Sequence, residues 1–155
     1  MKIPLILILH NLRSMNNVGS VFRTADALGI EKIYLCGLTG CPPHREIQKT
    51  ALGATETVNW EKAESTTEVM TNLKSKGYII LALEQEPKAS SLEIYKAPDK
   101  IALILGNEIE GVPEEIITRC DETVFIQQFG TKKSMNVAVA GGIAAWHLSL
   151  QLRKI

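Results

Sequence analysis

Four short aliphatic runs limit what this chain can fold into: Ile3–Leu9, Ile33–Cys36, Tyr78–Leu83 and Ile101–Leu105. Ile3–Leu9 in particular lacks the polar alternation of a half-exposed strand. It reads as a strand covered on both faces, as in a parallel sheet. It is too short for a membrane span and has no small-residue cleavage site behind it, which excludes a signal peptide. Helical spacing appears between the runs. Val18, Val21, Phe22, Ala25 and Leu28 share one face of a helix, with Asn17 as the expected N-cap and Gly29 as the C-terminal stop. Further helices are expected over Glu46–Leu52, over Thr66–Lys76 before Gly77, and from Pro113 to about Arg119. Thr123–Ile126 is a last short strand, and Ser134 is the expected cap of a final helix ending near Leu152. Strands alternating with helices imply an α/β domain with a mainly parallel sheet flanked by helices. With 155 residues, the expectation is a single domain over 1–155 without a separate extension.

Charge and cysteine content exclude several classes. The 17 basic and 17 acidic side chains balance, which argues against indiscriminate coating of nucleic acid. The two ends are mildly basic, and residues 61–120 carry eleven acidic against seven basic groups. Three cysteines without framework spacing suit a reducing cytoplasm. Cys36, Cys41 and His44 lie close in sequence, but no CxxC pair or fourth ligand accompanies them, so no metal is expected. Neither the G-x-G-x-x-G of a dinucleotide fold nor a P-loop string occurs.

Three segments carry chemistry. In Asn11–Ala25, Arg23 stands off the apolar stripe six residues after Asn17. It reads either as a guanidinium that holds a phosphate or as a side chain snorkelling to solvent. In Ile101–Pro113, a buried strand ends in Gly106-Asn107-Glu108 and turns through a second glycine. Ligands of parallel sheets bind beyond strand carboxyl ends, where Gly106 would permit close approach; a turn into a helix fits equally. In Ile126–Ala140, a strand end, a glycine loop and a helix start again coincide, with Ser134 and Asn136 offering hydrogen bonds. Lys132 and Lys133 fit a solvated loop as well as a phosphate contact. Gly141 and Gly142 weaken the following helix, so another segment or a second subunit must pack close to it.

In order and wording these segments resemble the SpoU (TrmH-type) family of RNA 2′-O-ribose methyltransferases, within the SPOUT superfamily. The matching patterns are N-x-G-S-x-x-R-T-A, G-N-E-x-x-G and I-x-x-x-G-x-x-x-S-[LM]-N-V-x-V-A, and the likeness runs from about Leu7 to Leu148. The resemblance implies a sheet whose C-terminal part forms a deep trefoil knot, an exception to unknotted topology. It implies S-adenosylmethionine as methyl donor, S-adenosylhomocysteine as product and a homodimer built on the first and last helices. It implies donor contacts at Leu83, Leu105, Gly106, Glu108, Ile126, Ser134 and Met135. It assigns chemistry on the ribose 2′-hydroxyl of a tRNA or rRNA nucleotide to Arg23, with Asn17, Ser134 and Asn136 in support. Arg13, Arg45, Lys132 and Lys133 are the candidate RNA contacts. An RNA base methyltransferase of the same superfamily, or a non-catalytic RNA-binding member, are the alternatives. Many members have Ile-Pro-Met where this chain has Ile126-Gln127-Gln128, which alters a loop lining the donor pocket.

Overall fold

The computed structural model describes residues 1–153. Seven strands form one sheet: β1 (Ile3–His10), β2 (Ile30–Cys36), β3 (Trp60–Ala63), β4 (Ile79–Leu83), β5 (Ser90–Ser91), β6 (Ile101–Leu105) and β7 (Glu122–Phe125). Their order across the sheet is β3-β2-β1-β6-β4-β7-β5, and every pairing is parallel. β1 lies at the centre of the long strands, with Leu7 opposite Ile33 on one side and Leu103 on the other.

Helices cover both faces, as the aliphatic runs required. On one face Leu5, Leu7 and Leu9 share a core with α1 (Met15–Leu28), α2 (Arg45–Ala51), α3 (Ala54–Thr57) and α6 (Val137–Leu152). On the other, Ile6 and Ile8 meet α4 (Thr66–Ser75) and α5 (Glu114–Ile117). The alternation of β1 residues between the two cores is the period-2 pleat of a strand. Among the described residues, no helix is long and apolar enough to cross a membrane.

Several elements differ from the expectations. α1 begins at Met15 and its N-cap is Ser14, whose side chain accepts from the Asn17 N–H at 3.2 Å; Asn17 lies in the first turn. α6 begins at Val137, capped by Asn136 rather than Ser134. The Asn136 Oδ1 accepts from the N–H groups of Ala138 and Val139 at 2.9 and 3.1 Å. The helix after Pro113 is one turn, Glu114–Ile117, rather than reaching Arg119. β3, β5 and α3 lie in stretches for which no element was expected.

The helix glycines divide by role. An added Cβ on Gly19 would overlap Thr50 and the Ile47 carbonyl, so α1 and α2 cross in contact there. On α6, Gly141 packs against the Leu105 side chain at the end of β6, whereas Gly142 faces Thr24 of α1 at ordinary contact distance. Close packing within this chain therefore accounts for Gly141.

Candidate active site

A cavity of about 730 Å³ opens beyond the carboxyl ends of β4, β6 and β7. That volume falls in the range of small-molecule sites, and the position is where parallel sheets bind ligands. Leu83, Leu105, Ile126, Met135, Val137 and Ala140 give it apolar walls. All seven residues expected at a donor site, Leu83, Leu105, Gly106, Glu108, Ile126, Ser134 and Met135, line it.

The loop after β6 is fixed by its own backbone and one amide. An added Cβ on Gly106 would overlap the Gly111 carbonyl, so the turn closes on itself only with glycine there. Asn107 and Gly111 exchange backbone hydrogen bonds at 2.9 and 3.2 Å. The Asn107 Oδ1 accepts from the N–H groups of Ile109 and Glu110, and its Nδ2 donates to the Asn11 carbonyl at 2.7 Å. Glu84 braces the far side, its carboxylate accepting from the Val112 N–H at 2.8 Å. Sequence reasoning quoted Asn107 within its motif without giving it a role, and missed Glu84. An amide two residues beyond a strand, ahead of a turn, is an Asx-turn signal that could have exposed Asn107. Glu84 acts on a loop 28 residues away and leaves no local signal.

A polar chain ties this loop to two helix starts. The Glu108 carboxylate accepts from the backbone N–H groups of Arg13 and Ser14 at 3.0 and 2.9 Å, and from the Asn17 amide at 3.2 Å. The Asn17 Oδ1 in turn accepts from Asn136 Nδ2 at 3.2 Å. Asn17, Glu108 and Asn136, drawn from three distant segments, thus meet. Burial alone would raise the Glu108 pKa, but the donors from Arg13, Ser14 and Asn17 outweigh it and hold the carboxyl below its usual range. Glu108 is therefore an anionic strut between the loop and α1, a sharper role than donor contact alone.

The electrostatics of the cavity are one-sided. Among the described residues, Glu84, Glu86, Glu108, Glu110 and Glu114 line it, against a single basic group, Lys133. Such a lining favours a cationic ligand over a polyphosphate.

The remaining candidates except Asn136 and Lys133 fall outside the cavity. Arg23 is exposed on α1 and does not line it. A second, open groove between α1 and α6 is lined by Asn17, Ser20, Thr24, Asn136, Ile143 and Trp146, and Arg23 is not part of that lining either; Asn136 belongs to both depressions. Arg13 is held at the rim through its backbone, Lys132 and Lys133 lie on the loop between β7 and α6, and Arg45 opens α2 away from the lining. Cys36 is buried, which pushes its thiol up to about 11, and His44 accepts from the Glu46 N–H as the cap of α2. Among the described residues, no group of three or more His, Cys, Asp or Glu side chains is placed to hold a metal ion.

A doubly covered parallel sheet, with a ligand-sized cavity at its carboxyl edge, defines a ligand-binding α/β domain. Residues 4–146 match the SpoU rRNA Methylase family. The chain is 33% identical over 140 residues to the 23S rRNA (guanosine-2′-O-)-methyltransferase of Neisseria meningitidis, covering 90% of this chain and 56% of that protein. The AdoMet-bound rRNA methyltransferase structure from Sinorhizobium meliloti superposes with a TM-score of 0.90 at 25% identity, covering 98% of this chain and 58% of that one. A structure described for 2-OH methylation of C/U34 on tRNA gives 0.85 at 28% identity and covers 97% of both chains. This chain thus spans just over half the length of the first two. It belongs to the SpoU rRNA methylase family.

Proposed function

We propose that this chain is an S-adenosylmethionine-dependent methyltransferase acting on the ribose 2′-hydroxyl of a tRNA or rRNA nucleotide in the cytoplasm. The observation that carries the reading is the cavity itself, where the seven expected donor positions converge beside the Glu108–Asn17–Asn136 chain. Family relatives named as ribose methyltransferases of both RNA classes support it.

The residues present fit the donor. Its adenosine and methionine parts need apolar walls with a few polar groups, and its net positive charge suits five carboxylates against one lysine. Leu83, Leu105 and Ile126 would hold the base and ribose, with Gly106, Ser134 and Met135 around the rest. When bound, the donor supplies a methyl group already activated by a sulfonium.

The protein's part is alignment and handling of one proton. A 2′-hydroxyl is a weak nucleophile at neutral pH and needs a base or a nearby cation. A guanidinium keeps its proton at neutral pH and is a poor base. Arg23 therefore stabilises the developing alkoxide, and an RNA phosphate held beside it takes the proton. Asn17 and Asn136 orient these groups, and positioning of this kind is worth ~7–11 kcal/mol of barrier. Arg13, Arg45, Lys132 and Lys133 hold the RNA backbone.

Two copies complete the site. Val139, Ile143, Trp146 and Leu150 recur along one side of α6 and are 55%, 43%, 53% and 47% exposed, while its opposite side is buried. A helix apolar all round is ordinarily covered all round. Pairing through α1 and α6 covers this stripe and draws Arg23 towards the reaction centre, since Asn136 joins groove to cavity. We further propose the trefoil knot. It is supported by the crossing strand order, with β6 between β1 and β4 and β7 between β4 and β5. Gln151 of α6 also bonds both the Tyr95 carbonyl and the Ala97 N–H. An experimentally traced chain whose α6 passes outside the 84–100 connection would contradict the knot.

Arg23→Ala tests the assignment. It should abolish methyl transfer to RNA while calorimetry still registers donor binding; undiminished turnover would refute the role of Arg23.

A further inference from the structure

Of the three phenylalanines, Phe22 is fully buried, Phe125 is half-buried at the end of β7, and Phe129 is 87% exposed. A bare ring is unusual on a loop whose neighbours line a cavity. Ile126, Gln128, Lys133 and Ser134 all contribute to the wall, and Gln128 Nε2 donates to the Lys133 carbonyl at 3.5 Å. That bond closes a lobe with Phe129, Gly130, Thr131 and Lys132 at its tip, and an added Cβ on Gly130 would meet nothing. The lobe directly follows Ile126-Gln127-Gln128, where many family members have Ile-Pro-Met.

Charge sets which way a polyanion must approach. Glu84, Glu86, Glu110 and Glu114 repel phosphate from one side of the cavity, while Lys132 and Lys133 attract it beside the lobe. A strand whose ribose enters this cavity therefore meets less repulsion on the side of the lobe. An aromatic face accepts any base. Ile109, 92% exposed on the other loop bordering the cavity, has no such face.

We propose that Phe129 is the stacking platform for the base of the nucleotide whose ribose is methylated, holding it out of its helix while the 2′-hydroxyl sits in the cavity. This rests on the ribose-methylation reading above. Phe129 touches no reacting atom; it is a positioning residue for the substrate.

The test uses the full chain, labelled S-adenosylmethionine and, as substrate, bulk tRNA and deproteinised rRNA from a strain lacking this protein. Phe129→Ala should raise KM for RNA by roughly 5- to 150-fold, the span of one lost base stack, without weakening donor affinity. Phe129→Trp should behave as wild type, and Phe129→Leu should resemble the alanine variant. Wild-type kinetics in Phe129→Ala, or full rescue by leucine, would overturn the proposal. Loss of donor affinity would place the ring against the donor instead, and a shift from dimer to monomer on sedimentation would place it against a second copy; either overturns it. If wild-type protein transfers no methyl group to RNA, the ribose-methylation reading fails and this inference falls with it. Transfer by wild type that Phe129→Ala leaves unchanged refutes the inference alone.

Discussion

Glu108 concentrates much of the site's organisation in one side chain. Its carboxylate takes two backbone N–H groups at the start of α1 and the amide of Asn17. Because these donors depress its pKa below 4.5, the stabilisation is complete above that value and disappears as pH falls through the lower folded-state value. Glu108→Ala should cost about 1 kcal/mol near neutral pH, the scale of a lost helix cap at an exposed position. Urea titrations at a series of pH values check this: the gap between variant and wild type should close in acid, and a gap independent of pH would contradict the strut. The same region shows where local reading fails. Ser14 and Asn17 both suit an N-cap, as do Ser134 and Asn136, and propensity does not choose between them. The choice is tertiary. Asn17 is taken up by Glu108, which leaves the first cap to Ser14, and Asn136 both caps α6 and reaches Asn17. The residues that meet at the site were legible as a set; the bonds among them were not, because each spans 91 residues or more.

At the scale of elements, the long aliphatic strands and the apolar face of α1 were legible because burial on both sides of a sheet leaves no room for polar residues. β3 escaped notice for the opposite reason. Its sequence Trp60-Glu61-Lys62-Ala63 is charged, as suits an edge strand, and β5 has only two residues. α1 carries a further constraint in Gly19. Alanine there gains helix propensity of up to ~1 kcal/mol, but its Cβ must displace α2, whose Ile47 carbonyl is backbone and does not swing aside. Gly19→Ala should therefore destabilise the fold by about 1–3 kcal/mol in chemical denaturation, and a stabilised variant would contradict the close crossing.

At the scale of the whole molecule, two features of the sequence take on a use. The acidic middle of the chain supplies all five carboxylates that line the cavity, so balanced net charge conceals a local field that suits a cationic ligand. Weak, salt-sensitive affinity for arbitrary RNA is the corresponding expectation. The glycines of α6 divide between a contact inside the chain and a face turned to the groove. If that face joins two copies, wild-type protein should sediment at roughly twice the mass of one chain, and Trp146→Glu should sediment as a monomer that binds donor but transfers no methyl. A wild-type monomer at micromolar concentration would contradict the pairing.

Transfer of a methyl group to a ribose, rather than to a base, is decided by where the label settles in the RNA. Bulk RNA incubated with the purified chain and labelled S-adenosylmethionine, then digested and resolved by nucleoside mass spectrometry, should yield label in a 2′-O-methylnucleoside. The Arg23→Ala variant should yield none. Label on a base, or no label on RNA from the wild-type protein, would rule out ribose methylation.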